Sequence, residues 1–118
     1  MNVLVIGAST NPERYSYKAI TNLVLKDHHV FAIGAKHGNV KGIEFYTNKV
    51  DLKNIDTITL YINKTIQKEY IDYILMLNPI RVIFNPGTEN PELENMLNKN
   101  GIETTEACTL VMLATEQF

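Results

Sequence analysis

The stretch Val3-Leu4-Val5-Ile6-Gly7-Ala8-Ser9-Thr10-Asn11-Pro12-Glu13-Arg14-Tyr15-Ser16 decides how this chain is read. Four consecutive apolar residues indicate a buried strand. Gly7 permits a tight turn and close backbone approach. Small and polar residues continue to Ser16, which reads as a helix N-cap before the apolar spacing of Ile20, Leu23 and Val24. A strand, a glycine turn and a helix start together present backbone N–H groups to a phosphate. The pattern stands where a doubly wound nucleotide fold places its first loop.

Bulk properties narrow the classes. The 118 residues suit one domain, residues 1–118, with one core. A net charge of −2 gives no global basic field for nucleic acid or an acidic membrane. One cysteine excludes an internal disulfide framework and fits a reducing compartment. No apolar run reaches the ~18–20 residues of a membrane span. Met1-Asn2-Val3 lacks the charged-then-apolar pattern of a signal peptide, so a cytoplasmic protein is expected.

Strand and helix signals alternate. Strands are expected at about residues 2–7, 29–34, 57–62, 80–85 and 102–106. Helices are expected from Ser16 to about Asp27, over Thr65–Leu77, and from Asn90-Pro91 to Asn100-Gly101. This alternation predicts an α/β fold, a Rossmann-like doubly wound parallel sheet of five strands. The first and fourth strands are nearly all apolar and should be central. The third alternates Thr57, Thr59 and Tyr61 with Ile58, Leu60 and Ile62, as an edge strand does, and the polar fifth suits the other edge. The expected order is 3-2-1-4-5, with the ligand near the winding reversal between strands one and four. Residues 40–54 give no clear signal beyond a possible helical turn after Val50-Asp51.

Read plainly, Gly7-Ala8-Ser9 is a turn that needs a glycine; its place after the first strand favours a phosphate loop. Ser9 and Pro12 break the Gly-x-Gly-x-x-Gly dinucleotide fingerprint. The second strand ends in Gly34-Ala35-Lys36-His37, without the carboxylate that would bond the ribose hydroxyls of NAD. A lysine there suits an extra phosphate, as on NADP or coenzyme A, although Lys36 and Lys41 could equally be solvated loop residues.

These residues carry a family resemblance. Gly7-Ala8-Ser9, Pro12, Arg14 and Ser16-Tyr17 resemble the opening of the small single-domain coenzyme A-binding proteins. That family shares a Rossmann-like fold with the N-terminal domain of the succinyl-CoA synthetase α subunit. Lys36, Gly42, Tyr46, Ile55-Asp56, Asn85-Pro86-Gly87 and Glu106-Ala107-Cys108 fall in order at the family's positions, so the resemblance spans essentially the whole chain. Two positions depart: Gly34-Ala35 stands where Asn-Pro is frequent, and Asn85 where glutamine is common. The resemblance implies that Gly7 and Ala8 belong to the cofactor-binding loop. It implies that the N–H groups of Ser9, Thr10 and Asn11, with the Ser9 hydroxyl, receive a pyrophosphate, and that Arg14 and Ser16 support a phosphate oxygen. Lys36 would meet the ribose phosphate or the adenine side, and Asn85, Pro86 and Gly87 would wall the pantetheine. The ligases' phosphorylated histidine lies outside their coenzyme A-binding domain, so their activity is not carried over.

Other chemically suggestive residues have ordinary explanations. Cys108 reads as a small hydrophobe, with thiol exchange left open. His28 and His29 suit a helix end, and Glu89, Glu92 and Glu94 suit a helix start. No His, Cys, Asp or Glu spacing suggests a metal site. The apolar tail Leu110–Ala114 is expected to pack back on the sheet. The leading expectation is a module that binds coenzyme A or an acyl-CoA without catalysis of its own. The alternatives are an NADP-dependent small reductase, and a regulatory or interaction domain with a relict nucleotide pocket. A protein partner or self-association is left open.

Overall fold

The computed structural model describes residues 1–118. Strands β1 (Asn2–Ala8), β2 (His29–Gly34), β3 (Asn39–Val40), β4 (Ile43–Tyr46), β5 (Thr57–Leu60), β6 (Arg81–Phe84) and β7 (Glu103–Glu106) form one sheet. Its order is β3-β4-β2-β1-β5-β6-β7, and only β3 and β4 pair antiparallel. Helices α1 (Tyr15–Leu25), α2 (Lys64–Gln67), α3 (Ile71–Leu77), α4 (Pro91–Lys99) and α5 (Thr109–Ala114) complete the fold, with a 3₁₀ turn, Lys68–Tyr70, between α2 and α3.

The α/β class holds, whereas the five-strand count and the order 3-2-1-4-5 do not. The strand expected at an edge is β5, and it lies between β1 and β6. All four of its residues are buried. Its threonines are stable inside because their hydroxyls are paired. Thr59 Oγ1 lies 2.8 Å from Thr109 Oγ1 and accepts from Asn85 Nδ2 at 2.7 Å, and Thr57 Oγ1 accepts from Arg81 Nε at 2.8 Å. A satisfied hydroxyl removes the penalty that makes polar residues read as exposed. The winding therefore reverses between β1 and β5.

The two unforeseen strands form a small hairpin in the segment that gave no clear signal. Lys41 and Gly42 have φ of 51° and 83°, as a two-residue hairpin turn with the strands' own twist requires. Asn39 Oδ1 accepts from the Gly42 N–H at 3.1 Å, and Phe45 N–H donates to Gly38 O at 2.9 Å. No helical turn follows Val50.

Alternation along β1 builds two cores. Val3 and Val5 face α1 and α5, joining Ile20, Leu23 and Leu113. Leu4 and Ile6 face the other helices, with Ile58, Leu60, Ile74 and Leu97. The apolar tail does pack back: it forms α5, which lies against α1 with Leu113 buried. Helix α4 starts as expected, with Asn90 Oδ1 accepting from Leu93 N–H at 3.2 Å and Pro91 next in line. Ser16 does not cap α1. It is buried one residue inside the helix, and the N-cap is Arg14, whose side chain makes no capping bond.

Two measurements probe this framework. Gly7 has φ +98°, and a Cβ there would stand 2.7 Å from the Tyr61 carbonyl oxygen. Gly7→Ala should lower unfolding stability by about 3 kcal/mol in urea titration, and an unchanged midpoint would contradict this packing. Tyr73 is buried, and its hydroxyl donates to Val50 O at 2.6 Å. Burial, and then the neighbouring Tyr70, Asp51 and Tyr46, push its phenol up to about 12. The unfolded phenol ionises near pH 10, so this contribution to stability is intact below pH 10 and is lost as pH rises toward 12. Absorbance titration of the folded protein should show Tyr73 ionising late, and Tyr73→Phe should lower the late amplitude by one tyrosine; loss of a component near pH 10 instead would contradict it.

Candidate functional site

The C-terminal ends of the parallel strands bring the connecting loops to one side of the sheet, flanking the β1/β5 reversal. Two clefts open there, and Ser9 lines both. The first, of about 500 Å³, is bounded by Gly7, Ser9 and the start of α1. Tyr61–Asn63 and Pro86–Thr88 supply the rest of its lining, with Ile66. The second, of about 360 Å³, lies between Ala8–Asn11 and Ala35–His37, with Phe45 at its side.

The first loop folds on itself. Ser9 Oγ accepts from the Asn11 N–H at 3.1 Å, and Asn11 Oδ1 accepts from the Glu13 N–H at 3.0 Å. The Asn11 N–H is therefore already engaged, contrary to the expected role of receiving a phosphate. The N–H groups of Ser9 and Thr10 have no protein partner, and neither do those of Tyr15, Ser16 and Tyr17 in the first turn of α1. Unpaired donors at a helix start carry the positive end of the helix dipole. Arg14 stands exposed at the same mouth. The chain's one side-chain ion pair within 4 Å is Lys53–Asp51, so neither Arg14 nor Lys36 is neutralised by a carboxylate.

The expected site residues divide between the two clefts. Gly7, Ser9, Arg14, Ser16, Pro86 and Gly87 line the first; Ala8, Ser9, Thr10, Asn11 and Lys36 line the second. Asn85 lines neither. It is 2% exposed, and its side chain is engaged internally. Nδ2 donates to Thr59 Oγ1 at 2.7 Å and to Leu60 O at 2.9 Å, and Oδ1 accepts from Thr109 N–H at 2.8 Å. Its expected place on a ligand wall is corrected: it braces the wall from beneath. Cys108 is half-buried at the start of α5 and lines neither cleft.

Tyr61, Ile62, Asn63, Ile66 and Thr88 join the first cleft without having been singled out. Apart from Ile66, they follow or flank strand ends already placed on this side, and that position was their signal. Burial pushes the Tyr61 phenol up to about 12, while the Thr109 and Thr59 hydroxyls act in the opposite direction. Its shielded oxygen makes no hydrogen bond of good geometry. Both clefts thus combine apolar side chains with free N–H donors; the first has its cation at Arg14, and the second at Lys36 with His37 beside it.

Solved structures share this architecture. A crystal structure of an uncharacterized protein matches with 44% identity and a TM-score of 0.97, covering 99% of this chain and 97% of its own. A Thermus thermophilus protein matches in fold at 23% identity and a TM-score of 0.86, covering 99% and 90%. A dinucleotide-forming acetyl-coenzyme A synthetase 1 from Ca. Korarchaeum cryptofilum matches in fold at 17% identity and a TM-score of 0.71, over 90% of this chain and 25% of its own. No curated protein matched the chain. Residues 1–114 match the family model described as a CoA binding domain. With that span and this first loop, the chain belongs to the CoA-binding domain family.

Proposed function

We propose that this protein binds coenzyme A, free or as an acyl thioester, and that its role is binding without turnover. One observation carries the reading: Ser9 stands between two adjoining clefts, each with an unpaired cation, beside unpaired backbone donors. A diphosphate over Ser9, Thr10 and the start of α1 would be held by those N–H groups and by Arg14. The chain of a ligand so anchored would extend along Tyr61, Ile62 and Pro86. Its nucleotide end would reach Lys36, where the 3′-phosphate of coenzyme A finds a free cation. A pantetheine arm with amides on an aliphatic chain, a central diphosphate and a charged nucleotide end fit two adjoining clefts better than a ligand with a single head.

Calorimetric titration tests the reading. Coenzyme A should bind at micromolar Kd, with NADP and ADP weaker by about tenfold or more. Ser9→Tyr, which obstructs both clefts, should weaken coenzyme A by at least about tenfold in a protein of unchanged fold. Absent binding to a folded, ligand-free protein would remove the assignment.

A second titration assigns the ends of the ligand. Lys36→Glu should weaken coenzyme A by about tenfold and leave dephospho-coenzyme A nearly unchanged, because only the former carries the 3′-phosphate. Equal losses for both ligands would remove Lys36 from that contact.

A further inference from the structure

The side chain of Gln67 is completely buried at the end of α2 and touches neither cleft. Its Nε2 donates to Ile62 O at 2.9 Å and to Thr88 O at 2.7 Å. Its Oε1 accepts from Asn90 Nδ2 at 2.8 Å. Ile62 and Thr88 line the first cleft from two different loops, and Asn90 caps α4. One primary amide therefore fastens the loop after β5 to the loop after β6, and its bond to Thr88 alone spans 21 residues of sequence.

We infer that Gln67 is a positioning residue for the ligand, a clamp that holds two loops of the first cleft at a fixed separation. The inference deepens the coenzyme A reading and rests on it. The chemistry of the site favours an amide. It supplies two donors to two carbonyls and an acceptor to a third group, a combination that no apolar or carboxylate side chain reproduces. Gln67 and its partners Ile62, Thr88 and Asn90 are all buried, so each partner left alone would be buried and unpaired. The bonds continue on both sides of the clamp. Asn90 Oδ1 takes the Leu93 N–H, while the Thr88 hydroxyl and N–H both return to Asn85 O, at 2.7 and 2.9 Å. Loss of the clamp would free both loops together, and a ligand would then have to order them on binding.

Gln67→Met keeps the length of the side chain and removes all its hydrogen bonds. Tyr73→Phe serves as the comparison, because it removes a buried hydrogen bond, Tyr73 to Val50, remote from the cleft. Both variants are compared with wild type well below their melting temperatures. The inference expects hydrogen exchange at the Thr88 and Leu93 amides to quicken by about tenfold or more in Gln67→Met and not in Tyr73→Phe. It also expects coenzyme A affinity to fall about tenfold in the first variant alone. Gln67→Asn in a protein with Asn90→Gln, which keeps an amide pair, should recover part of both effects. Unchanged exchange at Thr88 and Leu93, or equal affinity losses in Gln67→Met and Tyr73→Phe, would overturn it. A wild-type protein that binds no coenzyme A would instead remove the function proposed above and with it the ligand half of this inference, and exchange alone would then decide whether Gln67 clamps the loops.

Discussion

The side-chain amide of Asn85 joins elements that the chain delivers from distant positions, and the cleft depends on their registration. Its two donors reach the end of β5 at Thr59 and Leu60, and its oxygen holds the first N–H of α5 at Thr109. Its backbone carbonyl meanwhile accepts from both donors of Thr88, the hydroxyl and the N–H. Three side-chain hydrogen bonds inside the protein, at 2% exposure, make this position intolerant of an apolar replacement, which would leave buried polar partners unmatched. Pro86 and Gly87 are presented to the first cleft because the residue before them is anchored below.

That anchor also explains the sheet order. A central β5 brings two threonines into the interior, which is acceptable only where their hydroxyls find partners. Thr59 finds Asn85 and Thr109, and Thr57 finds Arg81. These partners lie 24 to 50 residues away in sequence, so local alternation of threonine with isoleucine and leucine looked like an edge. The hairpin β3–β4 escaped notice for a different reason: two and four residues are too short for a periodic signal, although Gly42 and a left-handed Lys41 mark its turn. What was legible was local. The apolar run of β1, the turn at Gly7, the Asn90-Pro91 start of α4 and the polar edge strand β7 each follow from neighbouring residues. The loops at the C-terminal strand ends were legible for the same reason, while Asn85 was misplaced because its role depends on distant partners.

The site extends this economy of parts. Ser9 belongs to both clefts, its hydroxyl shapes the loop, and the start of α1 is left without a side-chain cap. An uncapped first turn is unfavourable in isolation, yet it keeps backbone donors available where an anion would sit. Membership of the CoA-binding domain family and the chemistry of the two clefts point the same way.

The central claim is that coenzyme A lies across Ser9 with its two ends in different clefts. Amide shift mapping of the isotope-labelled protein during coenzyme A titration tests it most directly. The account predicts saturable shifts at Ser9, Thr10 and Tyr15–Tyr17, at Lys36 and His37, and at Asn63 and Gly87. Residues at the opposite strand ends, such as Asn2 and Arg81, should remain unmoved. Shifts confined to one cleft, or centred away from Ser9, would contradict it.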